Sequence, residues 1–290
     1  MIELIFQRLI SNTGLTEKLT TYRDAPAVFY QNAPVDTDTR WGTPQYPRII
    51  FLVEMQDDPE RNVSGQMAVE IQCTGRTCEP EEIESAVLGL LDNVFFTDDR
   101  QVTTAVTWRN TDAFDEPGDV MGMVVWFDII EFPVQSTYTD PDPILSLQDW
   151  TKRFYPNILR IGQDLPEIYL PAEEQPAVYW RFERMANSGR DSWQVRWFDI
   201  SIAGHIIAPD YATAVSIANQ MIVRIQMNGR ISLLDGSWMM IDRIQNQPGA
   251  HPLKEGQIKM IGRFGVLSVE QDAPPLRPIM DLKERSVTHE

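Results

Sequence analysis

Histidine and cysteine are scarce in this 290-residue chain, which holds three histidines and two cysteines. No histidine has a second ligand at metal-binding spacing, and Cys73 and Cys78 match no zinc or redox motif. No glycine-rich loop joins a predicted strand to a helix, and no serine has the sharp-turn context of a hydrolase nucleophile. We therefore expect no metal, no cofactor and no enzymatic activity. The two cysteines are expected to be reduced thiols that pack as small apolar side chains.

Long apolar runs and basic residues are also under-represented. No run of eighteen apolar residues exists, so no membrane helix is predicted, and the first residues lack the pattern of a signal peptide. The formal net charge is −17. Residues 1–145 hold 25 acidic and 9 basic residues, whereas residues 146–290 hold 17 and 16. An acidic surface repels phosphate, so direct nucleic-acid binding by the first half is not expected.

Short motifs recur along the chain at a spacing of 129 residues. The matching pairs are Pro47 and Pro176, Gly75 and Gly204, and Pro80 and Pro209. A period of this length is too long for a solenoid unit and suits a whole small domain. The repeat predicts two tandem copies of one domain, over residues 1–132 and 147–270. A proline-containing linker is predicted over 133–146, and a proline-rich tail over 271–290.

Hydrophobic periodicity predicts the same order of elements in both copies: a helix, a short extended piece, a β-hairpin, a second helix and a second antiparallel pair. The short extended piece is predicted at 27–30 in the first copy and at 168–170 in the second. The fold class is α+β, with a small antiparallel sheet and flanking helices in each copy. Residues 110–119 are expected to form an acidic connection. His205 is expected in a solvated turn, while Trp126, Trp197 and Trp238 are expected in the core.

Several local motifs, taken in this order, resemble the tail terminator or tail-completion (minor tail) proteins of long-tailed bacteriophages. In the first copy they are Pro26-Ala-Val-Phe-Tyr30 and the strand opening Tyr46-Pro47. In the second copy they are Gln175-Pro-Ala-Val-Tyr179, Asp191-Ser-Trp-Gln-Val195 and Ala208-Pro-Asp210. The resemblance covers most of both copies, and this chain departs from the family in carrying the pattern twice.

The resemblance implies a structural virion protein that forms a homo-oligomeric ring at the head-proximal end of the tail. Its expected partners are the tail tube protein, a neck or connector protein and, in a contractile tail, the sheath. Genomic DNA would pass through the lumen without specific binding, and no membrane is involved. Two copies per chain leave both a hexamer and a trimer open, and the unequal charge of the copies favours six chains. The protein would be assembled in the host cytoplasm and act in the virion.

Two acidic groups are the candidate interaction residues. One is Asp57, Asp58 and Glu60, and the other is Asp112, Asp115, Glu116 and Asp119. We expect them to face either the lumen, where they would repel DNA phosphates, or a basic partner ring. A merely solvated acidic surface is the plain alternative, as it is for the adjacent carboxylates Asp57-Asp58 and Asp98-Asp99. Another neck, sheath-stabilising or baseplate protein, and a monomeric acidic binding module, also remain open.

Overall fold

The computed structural model describes residues 1–42, 45–75, 79–116 and 119–267. Within these ranges the protein is a mixed α+β fold dominated by two large sheets, of seven and six strands, with five helices and a two-stranded ribbon. None of the helices in the described ranges combines the length and the hydropathy needed to span a bilayer. The predicted tail, residues 271–290, lies outside the described residues, as does Cys78.

The first half of the chain, residues 1–132, contains three helices and eight strands within the described ranges. They are α1 (Ile2–Ser11), α2 (Thr13–Thr16), β1 (Thr21–Tyr22), β2 (Ala25–Pro26), β3 (Val28–Tyr30), β4 (Arg48–Glu54), β5 (Gly65–Thr74), α3 (Pro80–Leu91), β6 (Val94–Thr97), β7 (Thr103–Glu116) and β8 (Val120–Phe132). Helix α3 begins at Pro80, where the missing N–H has no partner to lose, and it buries Ile83, Val87 and Leu91 at helical spacing.

The second half, residues 133–267, contains two helices and seven strands. They are α4 (Pro143–Phe154), β9 (Leu159–Arg160), β10 (Ile168–Tyr169), β11 (Ala177–Asn187), β12 (Val195–Ile207), α5 (Tyr211–Asn228), β13 (Arg230–Ser232), β14 (Trp238–Asn246) and β15 (Ile258–Leu267). The Asp210 carboxylate accepts the N–H of Thr213 at the start of α5, and Gly229 ends the helix at a φ of 63°.

The two sheets have the same strand order apart from β10. The first runs β10-β6-β7-β8-β5-β4-β3 and the second runs β13-β14-β15-β12-β11-β9. In each, the short strand at one end is parallel to its neighbour, β3 to β4 and β9 to β11. The other ladders are antiparallel. The order of elements predicted from hydrophobic periodicity is present in both halves, and each half has one further strand, β6 or β13, between the second helix and the second antiparallel pair.

The prediction that residues 168–170 correspond to 27–30 is wrong. Strand β9 lies beside β11 as β3 lies beside β4, so β9 takes that place in the second sheet. Strand β10 instead crosses to the first sheet, where Ile168 faces Phe96 and Tyr169 faces Phe95. The crossing buries the Tyr169 ring. One strand of the second half therefore completes the sheet of the first.

Three apolar clusters form the interior. One lies within each half, between its helices and the inner face of its sheet. The third, which we call the seam, joins the halves and comprises Val63, Phe95, Ala105, Ile130, Phe132, Ile161, Leu165, Tyr169, Ala177, Tyr179, Ile207 and Leu253. At its centre the rings of Phe132 and Tyr179 meet edge to face with centroids 5.0 Å apart, and the Tyr179 hydroxyl donates to the Pro133 carbonyl at 2.8 Å.

The hairpins β4–β5 and β11–β12 occupy the same place in the two halves, but the 129-residue spacing holds for only one of their two strands. Phe51 and Trp180 are 129 residues apart, and their ladder partners are Val69 and Gly204, which are 135 apart. Gly75 ends β5 with a φ of 60°, whereas Gly204 lies inside β12 against the Trp180 ring. Hairpin register depends on the connecting loop, and the two loops differ. The matching glycines therefore have different structural roles.

Two segment boundaries differ from those expected. Helix α4 begins at Pro143, inside the segment 133–146 that was predicted as a linker. The Asp142 carboxylate fixes this start, because it accepts the N–H groups of Ile144 and Leu145 and also that of Thr137 upstream. The acidic connection predicted over 110–119 is mostly strand, because β7 continues to Glu116.

The expected environments of several side chains are also wrong. His205 is fully buried within β12 rather than placed in a solvated turn, since the strand runs on to Ile207. None of Trp126, Trp197 and Trp238 is fully buried, because each points away from the helix-covered face of its sheet. Cys73 is disulfide-bonded rather than a free thiol, a state that cysteine spacing alone does not reveal.

Candidate interaction site

The first acidic group lies in the hairpin between β4 and β5, next to the second half. Asp57 and Glu60 are exposed, whereas Asp58 is half-buried and forms the turn. The Asp58 carboxylate accepts the backbone N–H groups of Glu60 and Arg61 at 3.1 and 3.2 Å. Asp58 therefore has a structural role, and only Asp57 and Glu60 are available to a partner.

The second acidic group lies on the far part of the β7–β8 hairpin. The Asp112 carboxylate accepts the indole N–H of Trp126 at 3.0 Å, so it is already engaged. Asp115, Glu116 and Asp119 are exposed and form no salt bridge with the described residues. These three carboxylates form a strongly negative hairpin end.

The structure does not bring the two acidic groups together. The first precedes Gly65, which faces Ile129, and the second flanks Val120, which faces Thr74. The first group and Asp115, Glu116 and Asp119 therefore lie at opposite ends of the ten-residue strand β5, about 30 Å apart at about 3.3 Å per residue. Asp112 lies nearer the middle, because it faces Val124, which in turn faces Glu70.

An ion cluster at the edge of the seam was not found by sequence reasoning. The mostly buried Asp128 carboxylate binds Arg61 and lies 3.3 Å from the Lys254 amine of the second half. Lys254 also donates to the Arg61 carbonyl at 2.9 Å, and the Asn62 side chain donates to the Lys254 carbonyl at 2.9 Å. These contacts fix the first acidic hairpin against the second half.

His205 borders the seam and stays neutral. Its ring lies 5.9 Å from that of Phe132 and 5.6 Å from that of Tyr179, and its Nδ1 is 2.8 Å from the Pro252 carbonyl. Nδ1 therefore carries the proton, and Nε2 has no partner among the described residues. Burial, with the nearby Arg181 charge, lowers the pKa of His205 to about 3.

An arginine–aromatic surface lies on the outside of the second half, and we call it the distal groove. It is lined by Asp149, Trp150, Arg153, Phe154, Met227, Asn228, Arg230, Ser232 and Trp238, around a cavity of about 410 Å³. Arg230 stacks 4.0 Å from the Trp238 ring centre, and Arg153 lies 5.4 Å from that of Phe154. Aromatic and arginine side chains on an exposed surface are typical of protein interfaces.

One sequence signal could have indicated this surface. Helix α5 has 18 residues, and Arg224 is its only charged residue, although much of the helix faces solvent. By contrast, α3 exposes Glu81 and Glu82, and its Glu84 is half-buried. A surface helix normally carries charge on its outer face, so its near absence from α5 marks a surface suited to a partner.

Comparison of the chain with known protein families and with curated proteins finds no match. The described residues contain no group of three or more metal-ligating side chains. Asp98, one of the adjacent carboxylates considered above, closes a turn. Although burial opposes the effect, the N–H groups of Val102 and Arg100 lower the pKa of Asp98 below its usual value. The Asp98 carboxylate therefore has a structural role in this turn.

Proposed function

We propose that this protein is a structural virion component that forms a ring at the head-proximal end of a bacteriophage tail. There it would end growth of the tail tube and join the tail to the head or neck. The observation that carries the proposal is the pair of sheets with one strand order, joined through the seam. We infer that the halves are tandem copies of one domain, as the sequence resemblance implies.

The form of the seam favours a ring. The contact is heterologous, because the first half contributes the outer face of β6, β7 and β8 while the second contributes β10 and the start of β11. A heterologous contact between two similar units can repeat from unit to unit, and it closes into a ring when the rotation allows. A hexamer of chains would hold twelve such units and a trimer six.

The charge distribution suits a path for DNA. The exposed carboxylates of the first half, with Asp115, Glu116 and Asp119 foremost, would repel phosphates if they line the lumen. The partners in this proposal are the tube protein, a neck or connector protein, possible sheath subunits, and DNA that is not specifically bound. An acidic surface facing a basic partner ring would serve the same assembly.

Another neck, sheath-stabilising or baseplate protein is the second candidate. It is favoured by the distal groove, whose exposed arginine and aromatic side chains suit contact with another protein. Such a protein would show the same composition and would differ in the proteins that it contacts.

The test is binding to tail tubes. Tubes assembled from the tube protein of the same virion are mixed with this protein and imaged by negative-stain electron microscopy. We expect density at one end of each tube and an arrest of further growth when more tube protein is added. Binding along the tube wall, or no binding, would contradict the terminator function and favour the second candidate.

A further inference from the structure

One edge of each sheet is formed by equivalent strands, and only one of these edges is covered. In the first sheet the β6 edge is covered by β10 from the second half. In the second sheet the corresponding strand β13 is the last strand, with no neighbour on its outer side among the described residues. An uncovered edge presents backbone N–H and C=O groups that a further strand can pair with.

The outer faces next to these edges differ in the same way. In the first sheet the outer residues Phe95, Ala105, Ile130 and Phe132 are buried in the seam. On the corresponding strands of the second sheet, Trp238 is 43% exposed, Met240 48% and Leu267 68%. We call this surface, together with Arg230 and Ser232, the distal face. It carries three exposed apolar side chains, and no part of the described chain covers them.

The second half covers β6 with a segment that has a counterpart in the first half. Residues 161–176, between β9 and β11, supply the seam residues Ile161, Leu165 and Tyr169. The corresponding segment, between β3 and β4, spans residues 31–47, of which 31–42 and 45–47 are described. It exposes Val35, at 71% of its surface. A second copy could therefore offer the distal face the same kind of segment.

The seam and the distal face carry charges of opposite sign, and so do the connections that would meet them. In the seam, the β14–β15 connection brings Lys254 to Asp128 on the outer face of β8. The distal face carries Arg230, which forms no salt bridge with the described residues, whereas the nearby Arg263 on β15 already binds Asp199 and Asp242. The corresponding connection of the first half, between β7 and β8, is flanked by the acidic Glu116 and Asp119. In a contact like the seam, the acidic β7–β8 connection of one copy would meet Arg230 of another, whereas in the seam a basic connection meets an acidic face.

We propose that the distal face binds the first half of a second copy of this chain, in the arrangement that the seam uses within one chain. Residues 31–42 of the second copy would cover the β13 edge, and its β7–β8 hairpin end would lie towards Arg230. The inference rests on the proposed ring, because it names the contact that would link one chain to the next. One arrangement of surfaces would then serve both the contact within a chain and the contact between chains.

The experiment compares single-surface variants by sedimentation velocity. Trp238→Asp removes the distal face, and Val35→Lys alters the matching surface of the first half. Each variant alone is expected to sediment as one chain with an unchanged circular dichroism spectrum. A mixture of the two is expected to form a dimer and nothing larger, because one intact contact remains. Tyr211→Asp, which is also an exposed aromatic but lies at the start of α5, should assemble as the wild type does.

Three results would overturn this inference. If Trp238→Asp and a second variant, Arg230→Glu, both keep the wild-type mass, the copies meet elsewhere, and the ring proposal can still stand. If the mixture forms no dimer, the contact is not between these two surfaces. If the wild type is a single chain at every concentration and on tube ends, the docking fails, while the tube-binding test decides the function independently.

Discussion

The two halves of this chain place similar sheets in different surroundings. The first sheet has the outer residues Phe95, Ala105, Ile130 and Phe132 buried in the seam, and its helix α3 exposes two glutamates. The second sheet has an exposed outer face with Trp238, Met240 and Leu267, and its helix carries one charge. The same strand order thus supports one covered and one uncovered surface. The second half therefore exposes side chains on the strands that correspond to those buried in the first half.

The largest expected effect comes from removing a buried side chain of the seam. Phe132→Ala removes a fully buried ring that contacts Phe95, Tyr179 and His205, and should cost about 3–5 kcal/mol of unfolding free energy. Because the seam couples the halves, urea unfolding should change from one transition to two. Phe51→Ala is the matched control, since Phe51 is buried within the first half alone and its loss should leave one transition. Two transitions in the wild type would contradict the coupling.

The two glycines of the apparent repeat should respond differently. A Cβ on Gly204 would lie 2.6 Å from the Trp180 ring, so Gly204→Ala should cost about 1–3 kcal/mol through overpacking. Among the described residues, the nearest atom to a Cβ on Gly75 is the Asp119 carboxylate oxygen at 3.6 Å, and the φ of 60° is the main obstacle, so Gly75→Ala should cost about 1 kcal/mol. Thermal unfolding of both variants measures the difference. Equal losses would mean that the glycines are equivalent after all.

Acid should weaken the seam through His205. Its folded pKa, about 3, lies below the unfolded value, so the unfolded chain binds the proton more readily. The stabilisation is therefore complete above the unfolded pKa and is lost as the pH falls towards 3. Between pH 7 and pH 5 the loss should be about 2 kcal/mol. His205→Gln cannot titrate, so its unfolding free energy should vary less over this range. An identical pH dependence in both proteins would contradict this role.

The start of the second half should be more sensitive than the start of the first. Asp142 caps α4 with its carboxylate, whereas α1 follows Met1 with no side-chain cap. Asp142→Ala should therefore cost about 1–2 kcal/mol, measured by thermal unfolding. Met1 offers no comparable bond to remove. A negligible loss would mean that residues 133–142 behave as the flexible linker expected from sequence.

Much of the fold could be predicted from local patterns. The stripe Ile83, Val87 and Leu91 and the alternation of Met67, Val69 and Ile71 led correctly to α3 and β5. The alternating burial of short strands could not reveal β10, because a two-residue strand carries no period and pairs with a strand about 70 residues away. The environment of His205 was missed for a related reason, because its burial depends on Phe132 from the other half.

The candidate site was predicted only in part. The acidic residues were evident from composition, but composition could not show that Asp58 and Asp112 are held by neighbouring groups. Nor could it show that Asp57 and Glu60 lie at the opposite end of β5 from Asp115, Glu116 and Asp119. The distal face was missed because Trp238, which lies in an apolar strand, was expected to pack in the core. Which face of a strand is covered depends on tertiary structure, and a strand that is apolar on both faces does not reveal it.

The central claim is that this chain assembles with copies of itself, and the mass of the purified protein in solution tests it most directly. Native mass spectrometry and light scattering over a range of concentrations would give that mass. We predict a closed assembly of three or six times the 33.3 kDa of one chain, with no larger species. A protein that stays at 33.3 kDa at every concentration, and also on tube ends, would contradict it.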